Sequence, residues 1–242
     1  MPDYTEDYLL DKKIKIFQPN DGYRAAIDAV LLSAAVEKLR PGDNILDMGS
    51  GTGAVSLCLA QRFFELAPQI TGVEIQPMLA ELSNMSATAN NFSFLKYINA
   101  DIFDSGLPFC SFAHVVSNPP YFEQNMPTSP KAGKATAHNF NQTSLTQWVN
   151  LCIKMIKPQG YFYMVNRAQA LDEILNAIGT KLGDIKIFPI YSKAEQDAKR
   201  VIIRAKKDSK APLSIAAPII IHQADGSYSQ RAEAILRGGK SL

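Results

Sequence analysis

The chain has 242 residues, of which 46% are hydrophobic and 20% are charged, and its formal net charge is +2. This composition is typical of one globular domain with its own core, and it excludes a polyelectrolyte that binds partners through its total charge. No apolar run reaches the length of a membrane span, and the opening segment MPDYTEDYLLDKK has no apolar stretch of the kind found in signal peptides. We therefore expect a cytoplasmic protein that does not enter a membrane.

The alternation of strand-like and helix-like segments predicts the fold class. A strand is predicted at 13–18 and a helix at 26–39, ahead of the glycine-rich centre. Further strands are predicted at 44–48, 69–74, 94–99, 113–117 and 161–165, and further helices at 54–66, 77–91, 144–157 and 169–179. Strands that alternate with helices form a parallel sheet covered on both faces, so we expect an α/β, doubly wound, Rossmann-like fold.

The last two predicted strands, 184–191 and 200–207, are too close together for a helix between them. They therefore predict an antiparallel pair at one edge of the sheet. No linker rich in proline or serine divides the chain, so residues 1–242 are expected to form a single domain.

The three cysteines, Cys58, Cys110 and Cys152, are odd in number and widely spaced. No CxxC pair is present, so neither a zinc site nor a disulfide framework is indicated, and we expect no metal. Each cysteine has apolar neighbours, which favours a buried position for all three.

A glycine-rich turn follows the predicted strand 44–48. Gly49, Gly51 and Gly53 alternate there, which allows the backbone to approach a ligand and exposes the first amides of the next helix. Glu74, at the end of the next strand, has the position of a carboxylate that accepts hydrogen bonds from ribose hydroxyls. Because Gly49-x-Gly51-x-x-Ala54 also satisfies the dinucleotide fingerprint, this pattern predicts a nucleoside-containing cofactor without choosing which one.

Two aspartates refine that prediction. Asp47 stands before the first glycine, where it would repel a pyrophosphate and would suit a cofactor that carries an ammonium or a sulfonium. Asp101 follows the strand 94–99 and could accept a hydrogen bond from an adenine amino group, although an N-cap of a short helix is an equal alternative.

The stretch Asn118-Pro119-Pro120-Tyr121 follows the strand 113–117, which is expected to end beside the glycine turn. The prolines lack backbone donors, Asn118 adds a side-chain acceptor, and Tyr121 offers an aromatic face. Two acceptors and a ring would hold a planar amino group, so the stretch predicts methyl transfer to an amino nitrogen, with positioning as a main source of the rate.

These motifs together resemble those of the S-adenosylmethionine-dependent methyltransferases that modify amino nitrogens. The resemblance covers about residues 43–206 and implies a class I methyltransferase fold, a seven-stranded sheet whose last two strands form an antiparallel hairpin. It implies S-adenosylmethionine as the cofactor, held by Asp47, the glycine turn and Glu74, and the cofactor's adenine is then a candidate partner for Asp101.

The two ends of the chain are similar to the bacterial tRNA(Val) adenine-N(6) methyltransferase group. The matching segments are FQPNDGYRAAIDAVLLSAA and PIIIHQADGSYSQRAEAILRG. This resemblance implies methylation of the adenine beside the anticodon, with residues 1–42 as an extension that encloses the cofactor and residues 211–242 as a tail packed on it. Tyr23, Arg24 and Asp28 are then expected at the cofactor.

Two basic regions are candidate RNA contacts. The segment 186–210 holds eight basic residues against three acidic ones, and its residues Arg200, Arg204, Lys206 and Lys207 could follow an RNA backbone. The loop 122–143 contains Lys131 and Lys134 and could close over a flipped base, or it could be an ordinary surface loop. Trp148 lies in a helical pattern and is expected in the core.

Alternative functions remain open at this point. The amino-nitrogen signature also fits methyltransferases that act on ribosomal RNA guanine or on a protein glutamine. A nicotinamide dehydrogenase would use the glycine turn, but it leaves Asp47 and the stretch from Asn118 to Tyr121 unexplained. A cofactor-binding protein without catalytic activity is the remaining alternative.

Overall fold

The structure, a computed structural model, describes residues 3–21, 24, 27–37, 39–120 and 143–242. Tyr23 and Tyr121, both predicted site residues, lie outside the described residues, as does the segment of the 122–143 loop that contains Lys131 and Lys134.

A twisted central sheet organises the described part of the chain. Its seven main strands run in the order β5-β4-β3-β6-β7-β9-β8. They are β3 (Asn44–Met48), β4 (Gln69–Glu74), β5 (Leu95–Asn99), β6 (Phe112–Ser117), β7 (Ile156–Arg167), β8 (Leu182–Tyr191) and β9 (Ala198–Lys207). All pairs are parallel except those of β9, which is antiparallel to both β7 and β8. The predicted doubly wound sheet with a terminal antiparallel hairpin is confirmed.

Helices cover both faces of this sheet and divide the core in two. The helices are α1 (Ile27–Ala34), α2 (Ala54–Arg62), α3 (Pro77–Ala89), α4 (Leu145–Met155), α5 (Leu171–Ile178) and α6 (Gln230–Leu236). Apolar side chains of α1, α2 and α6 form one buried cluster with one face of the sheet. Those of α4 and α5 form a second cluster with the other face. Strands buried on both faces explain the continuous apolar runs in the sequence.

The order of the strands places a crevice between β3 and β6. The chain runs outward from β3 through β4 to β5 and then returns to form β6 on the other side of β3. Helices leave the two strands on opposite faces, so the loops that follow β3 and β6 separate at the carboxyl edge of the sheet. In open α/β sheets, ligands bind at such a switch point.

Several predicted features differ in detail from the structure. Helix α1 ends at Ala34, earlier than predicted: the next two amides, of Ala35 and Val36, donate to the carbonyls three residues before them, and the Ala34 carbonyl accepts from Leu242 N (3.1 Å). Strand β7 begins at Ile156 and includes Pro158, where an irregularity in its pairing with β6 accommodates the extra residues. The predicted edge strand β8 is covered by two short parallel strands, β10 (Ser214–Ile215) and β11 (Ile219–Ile220).

The N-terminal residues form a hairpin, of which the sequence indicated only the second strand. Strands β1 (Tyr4–Leu9) and β2 (Ile14–Pro19) pair in a separate two-stranded sheet. The outer edge of β2 is bonded to α3, since Lys15 N donates to Asn90 Oδ1 and Phe17 N donates to Ser86 Oγ, both at 2.9 Å. Side chains of α3 thus satisfy backbone groups that an edge strand would leave without partners.

The cysteines were predicted correctly in two of three positions. Cys58 and Cys152 are buried, whereas Cys110 is exposed in a turn before β6, with a positive φ of 53°. All three are free thiols. No group of three or more His, Cys, Asp or Glu side chains suited to a metal ion occurs in the part of the chain that the structure describes. Among the same residues, no helix has the length and apolar character needed to cross a membrane.

Candidate active site

A cavity of about 420 Å³ lies at the carboxyl edge of the sheet, where β3, β4, β5 and β6 end. Its lining includes Gly49 and Gly51 after β3, Glu74 at the end of β4, and Asn118-Pro119-Pro120 after β6. The volume lies within the range of small-molecule sites. The two motifs that the sequence predicted to share a crevice therefore share one cavity.

The loop after β3 is held by hydrogen bonds to β4. Gly49 N and Ser50 N both donate to Val73 O at 3.0 Å. Gly49 and Gly51 have φ values of 71° and 56°, in the left-handed region that favours glycine. A Cβ atom on Gly49 would lie 3.0 Å from Cζ2 of Trp148, so this position is also limited by space.

Glu74 joins the loop to α3 through its carboxylate. Its Oε2 accepts from Gly51 N (2.9 Å) and its Oε1 accepts from Gln76 N (2.8 Å). Burial raises the pKa of Glu74, and these backbone donors oppose that rise. A carboxylate has about four acceptor positions, so Glu74 can also accept hydrogen bonds from ligand hydroxyls.

Asp47 is buried behind the loop and faces α2. Its Oδ2 accepts from Ser56 Oγ, and its side chain is 1% exposed. Burial raises the pKa of Asp47 to about 7, and the nearby charge of Glu74 acts in the same direction. Neither Asp47 nor Gly53 lines the cavity; Gly53 instead begins α2 and accepts a hydrogen bond from the Tyr97 hydroxyl (3.2 Å).

Three polar atoms of this segment have no hydrogen-bond partner within the described residues, although all are buried. They are Asp47 Oδ1, Ser50 Oγ and Thr52 Oγ1. Buried polar atoms without partners are unfavourable, and they point to groups that a ligand or ordered water would complete. Their position between the end of β3 and the start of α2 matches the expected cofactor segment.

The end of β6 is supported by Trp148 of α4. The Trp148 indole donates to Ser117 Oγ (2.9 Å), and Ser117 Oγ donates to Met48 O (2.9 Å). This chain of bonds fixes the residue before Asn118 against the end of β3. Trp148 is buried, as predicted, but it also lines the cavity, where Phe103 meets it edge to face at 6.2 Å between ring centroids.

Asp101 both caps a helix and lines the cavity. Its Oδ1 accepts from Phe103 N (2.9 Å) at the start of the short 3-10 turn Ile102–Asp104. The two alternatives that the sequence left open are therefore compatible, since a carboxylate can cap a turn with one oxygen and present the other to a ligand.

Arg24 and Asp28, the two predicted N-terminal cofactor residues that the structure describes, have different surroundings. Asp28, in the first turn of α1, lines the cavity and pairs with Arg200 of β9, with 2.6 Å between Oδ2 and Nε. Arg24 does not line the cavity; its guanidinium pairs with Asp7 and donates to Thr5 Oγ1 on β1. Phe103, Arg200 and the second role of Trp148 were not predicted as parts of this site.

The basic segment 186–210 does not present all its charges to solvent. Arg204 is 7% exposed and pairs with Glu37 (3.1 Å) and Asp184 (3.5 Å). Lys207 donates to the carbonyls of Ile153 and Ile156 near the end of α4. The expectation that these two side chains follow an RNA backbone is therefore replaced by roles within the fold.

The comparison with protein families gives one decisive result. The family described as "Methyltransferase small domain" matches residues 27–178 of this chain. The chain belongs to this family. The matched residues contain α1, the glycine loop, Glu74 and the Asn118 segment, and the protein is therefore a methyltransferase.

Two curated relatives of this methyltransferase have the same name. A tRNA1(Val) (adenine(37)-N6)-methyltransferase of Pedobacter heparinus is 31% identical over 79% of this chain and 81% of its own length. A protein of the same name from Porphyromonas gingivalis is 29% identical over 92% of this chain and 91% of its own length.

Solved structures agree on the fold. A predicted O-methyltransferase from Agrobacterium tumefaciens superposes with a TM-score of 0.73 at 25% identity, over 89% of this chain and 98% of that one. TYW2 of M. jannaschii, solved with AdoMet, has a TM-score of 0.58 at 13% identity, over 85% and 86%. The fold of this methyltransferase is that of class I.

Proposed function

We propose that this methyltransferase transfers a methyl group from S-adenosylmethionine to N6 of an adenine in tRNA, the adenine at position 37 beside the anticodon of tRNA(Val). The names of the relatives support the acceptor. The single observation that carries the proposal is the shared cavity, because it brings the glycine loop and Glu74 together with Asn118-Pro119-Pro120. Because tRNA is the proposed substrate, we also propose that the protein acts in the cytoplasm.

The residues of the glycine loop suit the proposed cofactor. Asp47 does not line the cavity, so its carboxylate would attract the cofactor's ammonium group through its charge from behind the loop. Ser50 Oγ and Thr52 Oγ1, which also lie behind the lining without partners among the described residues, are hydroxyl donors of the kind that suits a carboxylate. Glu74 would accept from the two ribose hydroxyls, and Asp101 and Phe103 would meet the adenine ring. When bound, S-adenosylmethionine supplies an electrophilic methyl group on a cationic sulfur.

Asn118 and the two prolines would hold the acceptor base. Each proline lacks a backbone donor, so the backbone of this segment offers carbonyl oxygens, and Asn118 adds its amide oxygen. Two acceptors for the two hydrogens of an exocyclic amino group orient its nitrogen lone pair. No side-chain base is required, because a methylated aromatic amine that still carries its extra proton is strongly acidic and loses that proton to water.

The direct test is mass spectrometry of tRNA nucleosides after incubation with the protein and S-adenosylmethionine. We expect N6-methyladenosine to appear in tRNA, and no such product without enzyme. Ribosomes and a release factor, assayed in parallel with labelled cofactor, test ribosomal RNA guanine and protein glutamine as acceptors. Label in either of these and none in tRNA would contradict the proposal.

An Asn118→Ala variant tests the role of the acceptor segment. Because the amide oxygen would orient the amino group in the transition state, we expect kcat to fall about 100-fold. Affinity for S-adenosylhomocysteine, measured by calorimetry, is expected to stay within about twofold. Full methylation activity in this variant would show that Asn118 does not orient the acceptor amino group.

A further inference from the structure

A row of paired residues crosses the sheet beneath the glycine loop. The row runs from β5 to β7 and consists of Tyr97, Gly72, Asp47, Val116 and Tyr163. Paired residues of neighbouring parallel strands share a face of the sheet. Tyr97 and Tyr163 belong to the buried cluster that α2 covers, so the two tyrosines flank Asp47 on the same face, one on each side.

The Tyr97 ring occupies the space above Gly72 that a side chain would otherwise fill. A Cβ atom on Gly72 would lie 2.4 Å from Cδ1 of Tyr97, and one on Gly53 would lie 2.3 Å from its hydroxyl oxygen. Neighbouring strands are about 5 Å apart, so the side chain extends from β5 across β4 to the segment that follows β3. Gly72 and Gly53 therefore both make room for one tyrosine.

The Tyr97 hydroxyl is bonded to the last glycine of the loop. It donates to Gly53 O (3.2 Å), the same carbonyl that accepts the first helical bond of α2 from Leu57 N (2.8 Å). Burial raises the pKa of Tyr97, and the charge of Asp47 acts in the same direction, so the hydroxyl remains a protonated donor. Gly53 N in turn donates to Ser50 O (2.8 Å), which connects this bond to the glycine loop.

We propose that Tyr97 is a positioning residue of the cofactor site, which holds the end of the glycine loop in its binding geometry through the Gly53 carbonyl. This inference rests on the proposed role of the loop in binding S-adenosylmethionine, and it is independent of the methyl acceptor. A loop that is ordered before the ligand arrives binds more tightly, because ordering it during binding costs conformational entropy. The proposal also gives a role to Gly53, which does not line the cavity.

The test compares Tyr97→Phe with Tyr163→Phe. Each variant loses one buried hydroxyl and keeps its ring, and the Tyr163 hydroxyl contacts His114 Nδ1 (3.4 Å) instead of the loop. Calorimetry measures the affinity for S-adenosylhomocysteine after urea unfolding has shown that both variants are folded. We expect Tyr97→Phe to bind roughly tenfold more weakly, as suits the loss of one hydrogen bond, and Tyr163→Phe to stay within about twofold of the wild type.

Hydrogen exchange locates the effect in the chain. Peptides that cover residues 49–57 report on the loop and on the first turn of α2. In Tyr97→Phe we expect amide exchange there to become roughly tenfold faster, with wild-type rates in Tyr163→Phe. A purely structural role would instead lower the urea midpoints of the two variants alike and leave the exchange of residues 49–57 equal in both.

The comparison of the two variants decides the role of Tyr97. Equal affinities of Tyr97→Phe and Tyr163→Phe for S-adenosylhomocysteine would overturn the proposal. So would faster exchange of Tyr97→Phe throughout β8 and β9 without an additional increase at residues 49–57, because that pattern reports a general loss of stability.

The wild-type protein tests the proposed role of the loop separately. S-adenosylhomocysteine is expected to slow amide exchange at residues 49–57. Binding without such protection would reject the loop as the cofactor segment, and the positioning role with it. Normal protection of the wild type, together with unchanged affinity of Tyr97→Phe, would overturn the role of Tyr97 alone.

Discussion

Asp47, buried behind the glycine loop, is a residue whose charge state depends strongly on its surroundings. Its carboxyl group is buried, with one oxygen bonded to Ser56 and the other without a partner among the described residues. Burial raises its pKa from the ordinary 3.8 to about 7. Between these pH values the folded protein holds a proton that the unfolded chain releases, so the contribution of Asp47 to folding stability falls as the pH rises toward 7.

Cofactor binding is therefore expected to release a proton from Asp47. A cationic ammonium near Oδ1 stabilises the ionised carboxylate and lowers its pKa, so affinity should rise with pH between about 6 and 7.5. Calorimetric titration of S-adenosylhomocysteine at pH 6.5, in two buffers of different ionisation enthalpy, measures the proton directly. Wild-type protein is expected to release most of one proton, and affinity independent of pH would count against this role.

An Asp47→Asn variant provides the control for that titration. It has no carboxyl group to ionise at this position, so it is expected to bind more weakly and to release no proton. Equal proton release by the wild type and this variant would assign the proton to another group, with Glu74, whose pKa is also raised by burial, as the nearest candidate.

At the scale of secondary-structure elements, Trp148 connects three parts of the site. It sits on α4, its ring is packed against the glycine loop at Gly49, and its indole N–H reaches Ser117 at the end of β6. The sequence predicted this residue as core because the helical pattern shows a buried face. It could not show that the same side chain contacts both the loop after β3 and the end of β6.

A pair of glycine substitutions tests this packing. Gly42 and Gly49 have similar positive φ values, 82° and 71°, but only the second would bring a new Cβ against Trp148. Gly42→Ala is expected to cost about 1–2 kcal/mol of folding free energy from backbone strain alone. Gly49→Ala is expected to cost more and to weaken S-adenosylhomocysteine binding at least tenfold, since Trp148 must move.

Urea unfolding and calorimetry of both variants measure these effects. Trp148 fluorescence is expected to change in the folded Gly49→Ala variant and to stay the same in Gly42→Ala. Equal losses of folding free energy and unchanged cofactor binding in the two variants would show that the close approach of Trp148 to Gly49 has no consequence for the site.

At the scale of the whole molecule, the C-terminal tail is attached to helices close to the cavity. Arg62 of α2 donates to the Gly239 carbonyl (2.7 Å), and the Leu242 amide donates to Ala34 at the end of α1. Ile235 of α6 belongs to the same buried cluster as α1 and α2. Because α1 also carries Asp28, the tail is connected to the cavity wall through one helix.

Residues 1–242 are accordingly predicted to unfold as one unit. Ile235 is 1% exposed, so Ile235→Ala is expected to lower the free energy of unfolding by about 3 kcal/mol. Ile215, in the same tail, is 70% exposed, so Ile215→Ala is expected to change it by less than about 0.5 kcal/mol. Urea unfolding is followed by circular dichroism and by fluorescence of Trp148, which lies in the other core cluster.

Coincident transitions by the two probes are expected for the wild type and for both variants. A Trp148 transition unaffected by Ile235→Ala would show that the tail folds independently of the site. The single-domain prediction would then be wrong, although the strand order would be unchanged.

The sequence alone determined the seven main strands, the parallel arrangement of the first five, the antiparallel pair formed by the last two, and the motifs that supply Gly49, Gly51, Glu74 and Asn118. These features depend on local periodicity and on turn chemistry, which neighbouring residues encode. Only the tertiary structure decided that β10 and β11 cover the edge, that Arg204 and Lys207 serve the fold, and that Asp28 pairs with Arg200. Those contacts join residues far apart in the chain, and their energies depend on burial and register, which a linear pattern does not contain.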